Sequence, residues 1–524
     1  MRALSSGARA RWTAGLGLVG LVAFSLVVRS GSLDTGFWID EGLSVGIADR
    51  PLLEIPGVLR QDGSPPFYYL LLHGWLRLAG DGEVATHLLS LIFALLCIPA
   101  AGWALWAPFG VRAAWTGAVL ASLNPFLTSY AQETRMYSLV VLLGLVASGA
   151  YLRVFLMGRR NWSVGLGVAL AALLYTHNWA LFFGAACGIV WLGLVWSSGG
   201  DERRRLMRHG AVGFGLAALL YLPWLPTTLF QAAHTGAPWA RPTPVAALAS
   251  VFERLLGSTA QFVLLISAGA GLVAVLRSRR SPTAAASDQG RLTGRGAARA
   301  VVALIAIELG TLLIAWLSSQ VSPGWALRYL AVGVAPLLVL AAIGLSRAGG
   351  LGLAGLALTA VLWSVHDPPP DKSNVRDVSR WLAPGLRPGD LVVSTQPEQI
   401  PVLDHYLPDG LRYATLWGPV PDLGVTDWRD GVQRLSDTAA ERDLAPLIRK
   451  LPAGRRLVLI TPIFYDRDAW SAPWTELVRL RSVEWTRYAR NDPRLALAAT
   501  FPPTSYPARP NPVRAAVFIR VPLE

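Results

Sequence analysis

Long apolar runs separated by short polar gaps dominate the first two thirds of the chain. A helix that crosses a bilayer needs about 17–25 mostly apolar residues. Read that way, the pattern predicts helices over 14–30, 86–107, 113–130, 137–157, 162–176, 179–197, 210–224, 259–276, 299–319, 326–345 and 350–365. That is a polytopic α-helical membrane protein of about eleven transmembrane helices. The stretch 66–79 is shorter and more polar, and its aromatics and His73 suit a helix lying along the membrane surface. The run behind Arg2, Arg9 and Arg11 has the flanks of a signal peptide, but the many spans after it favour an uncleaved first helix.

After residue 365 the material changes. Short apolar strands are predicted at Asp390–Thr395, Arg456–Ile463 and Ala516–Val521, with helical stretches between them. We expect two domains: a membrane domain over 1–365 and a C-terminal α/β domain over 366–524. The segment 281–298 reads as a flexible cytoplasmic linker.

Only 15% of the 524 residues are charged, against about 25% in ordinary soluble proteins, and 53% are hydrophobic. The net charge is +14, carried almost wholly by arginine, since lysine occurs only at Lys372 and Lys450. The arginines fall in the gaps between apolar runs without interleaved aromatics, so nucleic acid is not the expected partner. With the N-terminus inside, the inside loops hold Arg112; Arg153, Arg159 and Arg160; Arg203, Arg204, Arg205 and Arg208; Arg277, Arg279, Arg280, Arg291 and Arg295; and Arg347. This is the positive-inside pattern. It predicts a multi-pass protein of the plasma membrane with a cytoplasmic N-terminus, an outer loop over 31–85 and an extracytoplasmic C-terminal domain. Cys97 and Cys187 both lie in apolar runs, which excludes a disulfide framework. No P-loop or dinucleotide-binding fingerprint occurs.

The same topology puts several polar groups on one side. Asp40 and Glu41 follow the first span; they suit a helix N-terminus, and equally a carboxylate that takes a proton from an acceptor hydroxyl. Asp62 precedes Gly63, Ser64 and the paired prolines Pro65 and Pro66, as part of a structural turn or as a second carboxylate or metal ligand. Glu133, Arg135 and Tyr137 converge at one outer turn, where an arginine can engage a lipid phosphate through paired donors. His177 at an outer turn, and Arg328 with Tyr329 at the start of a later span, share that face. A structural hydrogen bond for His177 and snorkelling for Arg328 are the plainer alternatives. Glu308, mid-span, is expected to bond between helices and is left out of the site.

FWIDE at 37–41, SPPFYYLLLHGWLRLAG at 64–80, SYAQETRMYSL at 129–139, LYTHNW at 174–179 and ALRYL at 326–330 together resemble the GT-C integral-membrane glycosyltransferases. Within them the likeness is to the protein O-mannosyltransferase and aminoarabinose-transferase branch, over roughly Phe37 to Tyr329. The resemblance implies a polyprenyl-phosphate-linked sugar donor and transfer outside the cytoplasm to a glycan, lipid or protein acceptor. It implies that Asp40 is the catalytic base or orients the acceptor, that Glu133 is the second-loop acid, and that Arg135 and Arg328 touch the carrier phosphate. A divalent cation is compatible with this scheme. One departure stands out: the aminoarabinose transferases carry Glu-Lys before the paired prolines, where this chain has Gly63-Ser64. A lysine contact to the carrier phosphate is therefore expected to be missing, and a metal site built on that glutamate is in doubt. The rival readings are a transporter or lipid flippase, which needs polar groups inside the spans and often shows repeats, and a non-catalytic scaffold for a cell-surface partner.

Overall fold

The computed structural model describes residues 6–278, 290–365, 371–466, 468–502 and 511–522. All the apolar runs lie in helices. Among the described residues, five of these are long and apolar enough to cross a membrane, and Gly200–Tyr221 with Leu225–His234, bent by 66°, makes a sixth if taken as one span. The other five apolar helices, such as Val111–Leu123 and Trp162–Leu174, have 10–17 residues, so the count of eleven crossings depends on these short ones. The run 113–130 is split because Asn124 caps a new helix, accepting from the Leu127 amide at 3.1 Å, and Pro125 occupies its first turn.

The loop 31–85 is built from helices. We label Ser6–Arg29 α1, Ile39–Ala48 α2, Ile55–Asp62 α3, Phe67–Ala79 α4 and Glu83–Phe109 α5. The stretch expected at 66–79 forms helix α4. It buries Tyr68, Tyr69, Leu72 and Leu76 on one side and leaves Leu78 exposed. Helix α3 ends where Gly63 takes a left-handed conformation, φ 102°. That conformation favours glycine, and a Cβ there would also stand 2.9 Å from the Thr235 hydroxyl.

The arginine-rich turns gather at one end of the bundle. Gly110 lies against Arg291, Gly158 against Arg205, and Arg299 pairs with Glu202 at 2.9 Å. Arg153 differs from the rest. It is buried and donates to the Gly149 and Ala104 carbonyls, so it serves packing more than it marks a loop. Of the linker expected at 281–298, the part 281–289 lies outside the described residues, and helix begins already at Gly294. Leu292 is tied to the Pro108 carbonyl at 2.9 Å, and the alanines at 297 and 298 favour helix over coil.

The C-terminal part forms a six-stranded sheet in the order β3-β2-β1-β4-β6-β5. The strands are β1 Leu391–Ser394, β2 Arg412–Thr415, β3 Gly418–Pro419, β4 Arg456–Pro462, β5 Leu495–Phe501 and β6 Val513–Arg520. Strands β2, β1 and β4 run parallel; β3 pairs antiparallel with β2, β6 with β4, and β5 with β6. The three expected strands are β1, β4 and β6. Strand β5, LALAATF, was not foreseen: it is apolar, but its leucines and alanines favour helix over strand, and most of its side chains face solvent. One apolar layer between the sheet and the helix Ile400–Tyr406, with Val392, Val402, Leu403 and Val458, takes in Phe37 and Val45 of the loop 31–85. The sheet thus grips the segment that carries Asp40.

Candidate active site

Helix α2 seats its N-terminal turn at the end of the bundle opposite the arginine-rich turns. The turn is fixed by Glu41, whose Oε2 accepts from the Trp38 amide at 3.2 Å. Its Oε1 accepts from the Thr134 amide at 2.8 Å and pairs with His87 Nε2 at 2.7 Å. Burial alone would raise this carboxyl, but His87 and then Lys372 hold it below the usual range. Glu41 is therefore a buried anchor joining α2, α5 and the turn at 133–135, and it does not face the cavity described next.

A cavity of about 390 Å³ opens beside Asp40. Of the residues singled out in the sequence, Asp40, Asp62, Arg135, His177, Arg328 and Tyr329 line it. Asp40 Oδ2 lies 3.4 Å from Arg328 Nε and 3.9 Å from Arg135 Nη2. Arg135 also donates to Ser44 Oγ at 2.9 Å, while the Arg328 guanidinium packs over Trp239, Tyr329 and Trp38 at 5.0, 5.2 and 5.5 Å. Burial raises the Asp62 carboxyl, opposed by Ser64 and Arg135. Burial pushes His177 down to about 3, with both arginines adding to the effect, so its ring is neutral. Its Nδ1 accepts from the Trp179 amide at 3.1 Å, which is the structural bond named as the plainer alternative.

Glu133 and Tyr137 stand behind the cavity. Tyr137 backs Arg135, whose guanidinium lies 5.8 Å from the ring centre. Glu133 is buried; its Oε1 accepts from the Trp38 indole at 2.9 Å and its Oε2 pairs with Lys372 at 2.6 Å. Burial raises the Glu133 carboxyl, opposed by Lys372. Lys372 was missed in the sequence, where the absence of Glu-Lys before the prolines suggested that no lysine reached this region. It comes instead from the far side of the chain and lies over the Trp38 and Tyr130 rings. Its one early signal was rarity, as one of two lysines. Trp428 of the C-terminal domain also lines the cavity and was not foreseen. Its amide donates to the Gln61 carbonyl at 3.0 Å, so the domain closes one wall. Among the described residues no three His, Cys, Asp or Glu side chains converge to hold a metal ion.

No family model and no curated protein sequence matches the chain. Solved structures do. ArnT from Cupriavidus metallidurans matches with a TM-score of 0.61 at 15% identity, over 97% of this chain and 98% of that one. A second structure of that protein, with undecaprenyl phosphate bound, matches at 0.59. The oligosaccharyltransferase of Archaeoglobus fulgidus matches with a TM-score of 0.54 at 13% identity, over 84% of this chain and 67% of that one. The mycobacterial arabinofuranosyltransferase AftD matches at 0.52 and 15% identity, over all of this chain and 40% of its own. The chain shares the overall fold of these structures, with five or six helices among the described residues long and apolar enough to cross a membrane and a small C-terminal sheet domain.

Proposed function

We propose that this protein is a glycosyltransferase that takes a sugar from a polyprenyl-phosphate carrier and attaches it to an acceptor hydroxyl on the extracytoplasmic face. The observation that carries this reading is the meeting of one carboxylate and two guanidinium groups, Asp40, Arg135 and Arg328, at a single cavity. The fold supports it, and so does undecaprenyl phosphate in the ArnT structure. The arginine-rich turns at the opposite end support the orientation.

In this reading Asp40 accepts the proton of the acceptor hydroxyl as its oxygen attacks the anomeric carbon. The bond from that carbon to the carrier oxygen breaks, and its electron pair leaves with the lipid phosphate. Arg135 and Arg328 turn their donors to the phosphate as charge grows there. Glu41, Glu133 and Tyr137 act as positioning residues, because each is bonded or packed behind the cavity. Asp62, His177 and Tyr329 shape the sugar pocket.

The test is to incubate the purified protein with radiolabelled polyprenyl-phosphate sugars and membranes, and to compare Asp40→Asn. Wild type labels an acceptor, and Asp40→Asn inserts and melts normally but transfers nothing. Full activity in Asp40→Asn removes Asp40 from the mechanism. A wild type that moves labelled lipid across vesicles without transfer favours the flippase reading instead.

A further inference from the structure

A second cavity lies outside the candidate active site, on the C-terminal domain. It measures about 600 Å³. The helix Pro473–Asn491 forms one wall, presenting Ser482, Thr486 and Arg490 at four-residue spacing, with Val483 and Arg487 alongside. The opposite wall is Arg514 of β6, paired with Thr461 of β4. Phe464 and the exposed Tyr465 close the end.

Its charge is one-sided. Among the described residues, no aspartate or glutamate lines the groove. Eight arginines of this domain, among them Arg376, Arg442 and Arg494, sit within 4.0 Å of a carboxylate. Among the described residues, Arg380, Arg387, Arg412, Arg449, Arg456 and Arg520 have no such partner, nor do Arg487, Arg490 and Arg514, and these last three share one groove, where Arg514 Nε is buried without any hydrogen bond. Three guanidinium groups left unneutralised across one groove is the arrangement that planar, paired recognition of phosphate or carboxylate requires.

Its place in the fold is equally specific. In open sheets, ligands sit outside the carboxyl ends of parallel strands. Strand β4 runs into the groove at Thr461 and Pro462. Its parallel neighbour β1 runs through Thr395, whose hydroxyl bonds the groove residue Ser482 at 2.7 Å, into the helix Ile400–Tyr406 that packs on α2. The groove is thus one strand away from the element that seats Asp40.

We propose that this groove binds an anionic saccharide, with a phosphate or carboxylate held by Arg487, Arg490 and Arg514 and a sugar ring against Phe464 and Tyr465. The binding site stands on the groove alone. Its use, to anchor the acceptor while a neutral part of it reaches Asp40, rests on the proposed transferase activity.

The test uses the full-length protein in detergent, with a fluorescent oligosaccharide offered in neutral form and with a single 6-phosphate. Wild type binds the phosphorylated probe about tenfold more tightly or better. Arg487→Ala/Arg490→Ala abolishes that preference; Arg449→Ala/Lys450→Ala, exposed on the same domain, and Asp40→Asn keep it. Equal binding of both probes by wild type, or a preference that survives Arg487→Ala/Arg490→Ala, overturns the proposal. So does a double variant that loses only its attachment to phosphatidylglycerol vesicles, which would make the groove a lipid contact. Because binding is read without transfer, a failed transferase assay leaves this result standing, and a failed binding assay leaves Asp40 untouched.

Discussion

Helix α2 has two glycines four residues apart, Gly42 and Gly46, and both face the C-terminal domain at very close range. A Cβ on Gly42 would stand 2.2 Å from Val402 Cγ2 and 2.9 Å from the Val402 amide nitrogen. A Cβ on Gly46 would stand 2.5 Å from the Gly424 carbonyl oxygen. Ordinary contact begins at 3.4 Å, so Gly42→Ala forces a retreat of 0.5 Å (3.4 − 2.9) from backbone and 1.2 Å (3.4 − 2.2) from the side chain. Val402 is fully buried, and protein interiors leave few voids for a side chain to turn into. Two effects then compete in stability. Overpacking costs about 1–3 kcal/mol, while replacing glycine inside a helix returns about 1 kcal/mol. The net is small.

Catalysis has no such offset. A misplacement of about 1 Å can cost about 100-fold in rate, and Asp40 begins the helix that must move. We expect Gly42→Ala to lower the initial rate of sugar transfer about 10- to 100-fold while the melting temperature in detergent shifts by a few degrees. Adding Val402→Ala removes the nearest clash and restores much of the rate. A Gly42→Ala protein that melts normally and transfers at the wild-type rate would show that the seat of α2 on the domain does not set the position of Asp40.

Two other perturbations separate charge from packing. Lys372→Met leaves the buried Glu133 without its partner and should destabilise by about 3–5 kcal/mol, since an unpaired buried charge is the costly state. Adding Glu133→Gln recovers most of it, and a double-mutant cycle by thermal melting shows strong coupling if the pair is real and simple additivity if it is not. The second concerns acid. His177 is held down to about 3 in the folded protein against an ordinary 6.5, so only the unfolded chain takes up a proton as pH falls between those values. Stability is unaffected above 6.5 and declines below it, by about 2 kcal/mol at pH 5. His177→Asn keeps an acceptor for the Trp179 amide and removes the titration, so its melting temperature should fall less from pH 7 to pH 5; identical slopes would refute the assignment.

Local pattern made the membrane helices legible, because a bilayer imposes length and hydropathy on each helix separately. It also made Asp40, Arg135 and Arg328 legible, since polar groups at the end of an apolar run stand out against their neighbours. The groups that fix those residues follow a different logic. His87 lies inside an apolar helix and becomes visible only when Glu41 is folded against it at 2.7 Å. Gly42 and Gly46 read as ordinary small residues until Val402 and Gly424, more than 350 positions later, close on them. Lys372 reaches Glu133 from 239 positions away (372 − 133). The surroundings of Asp40 are thus assembled from both ends of the chain. An insertion that moved the sheet domain by one helical turn would leave every span intact and still strip α2 of its seat, Glu133 of its cation and the cavity of Trp428. By this argument the C-terminal domain is part of the candidate site's framework, and on the proposed function separating it from residues 6–365 should abolish transfer even where the membrane part still inserts.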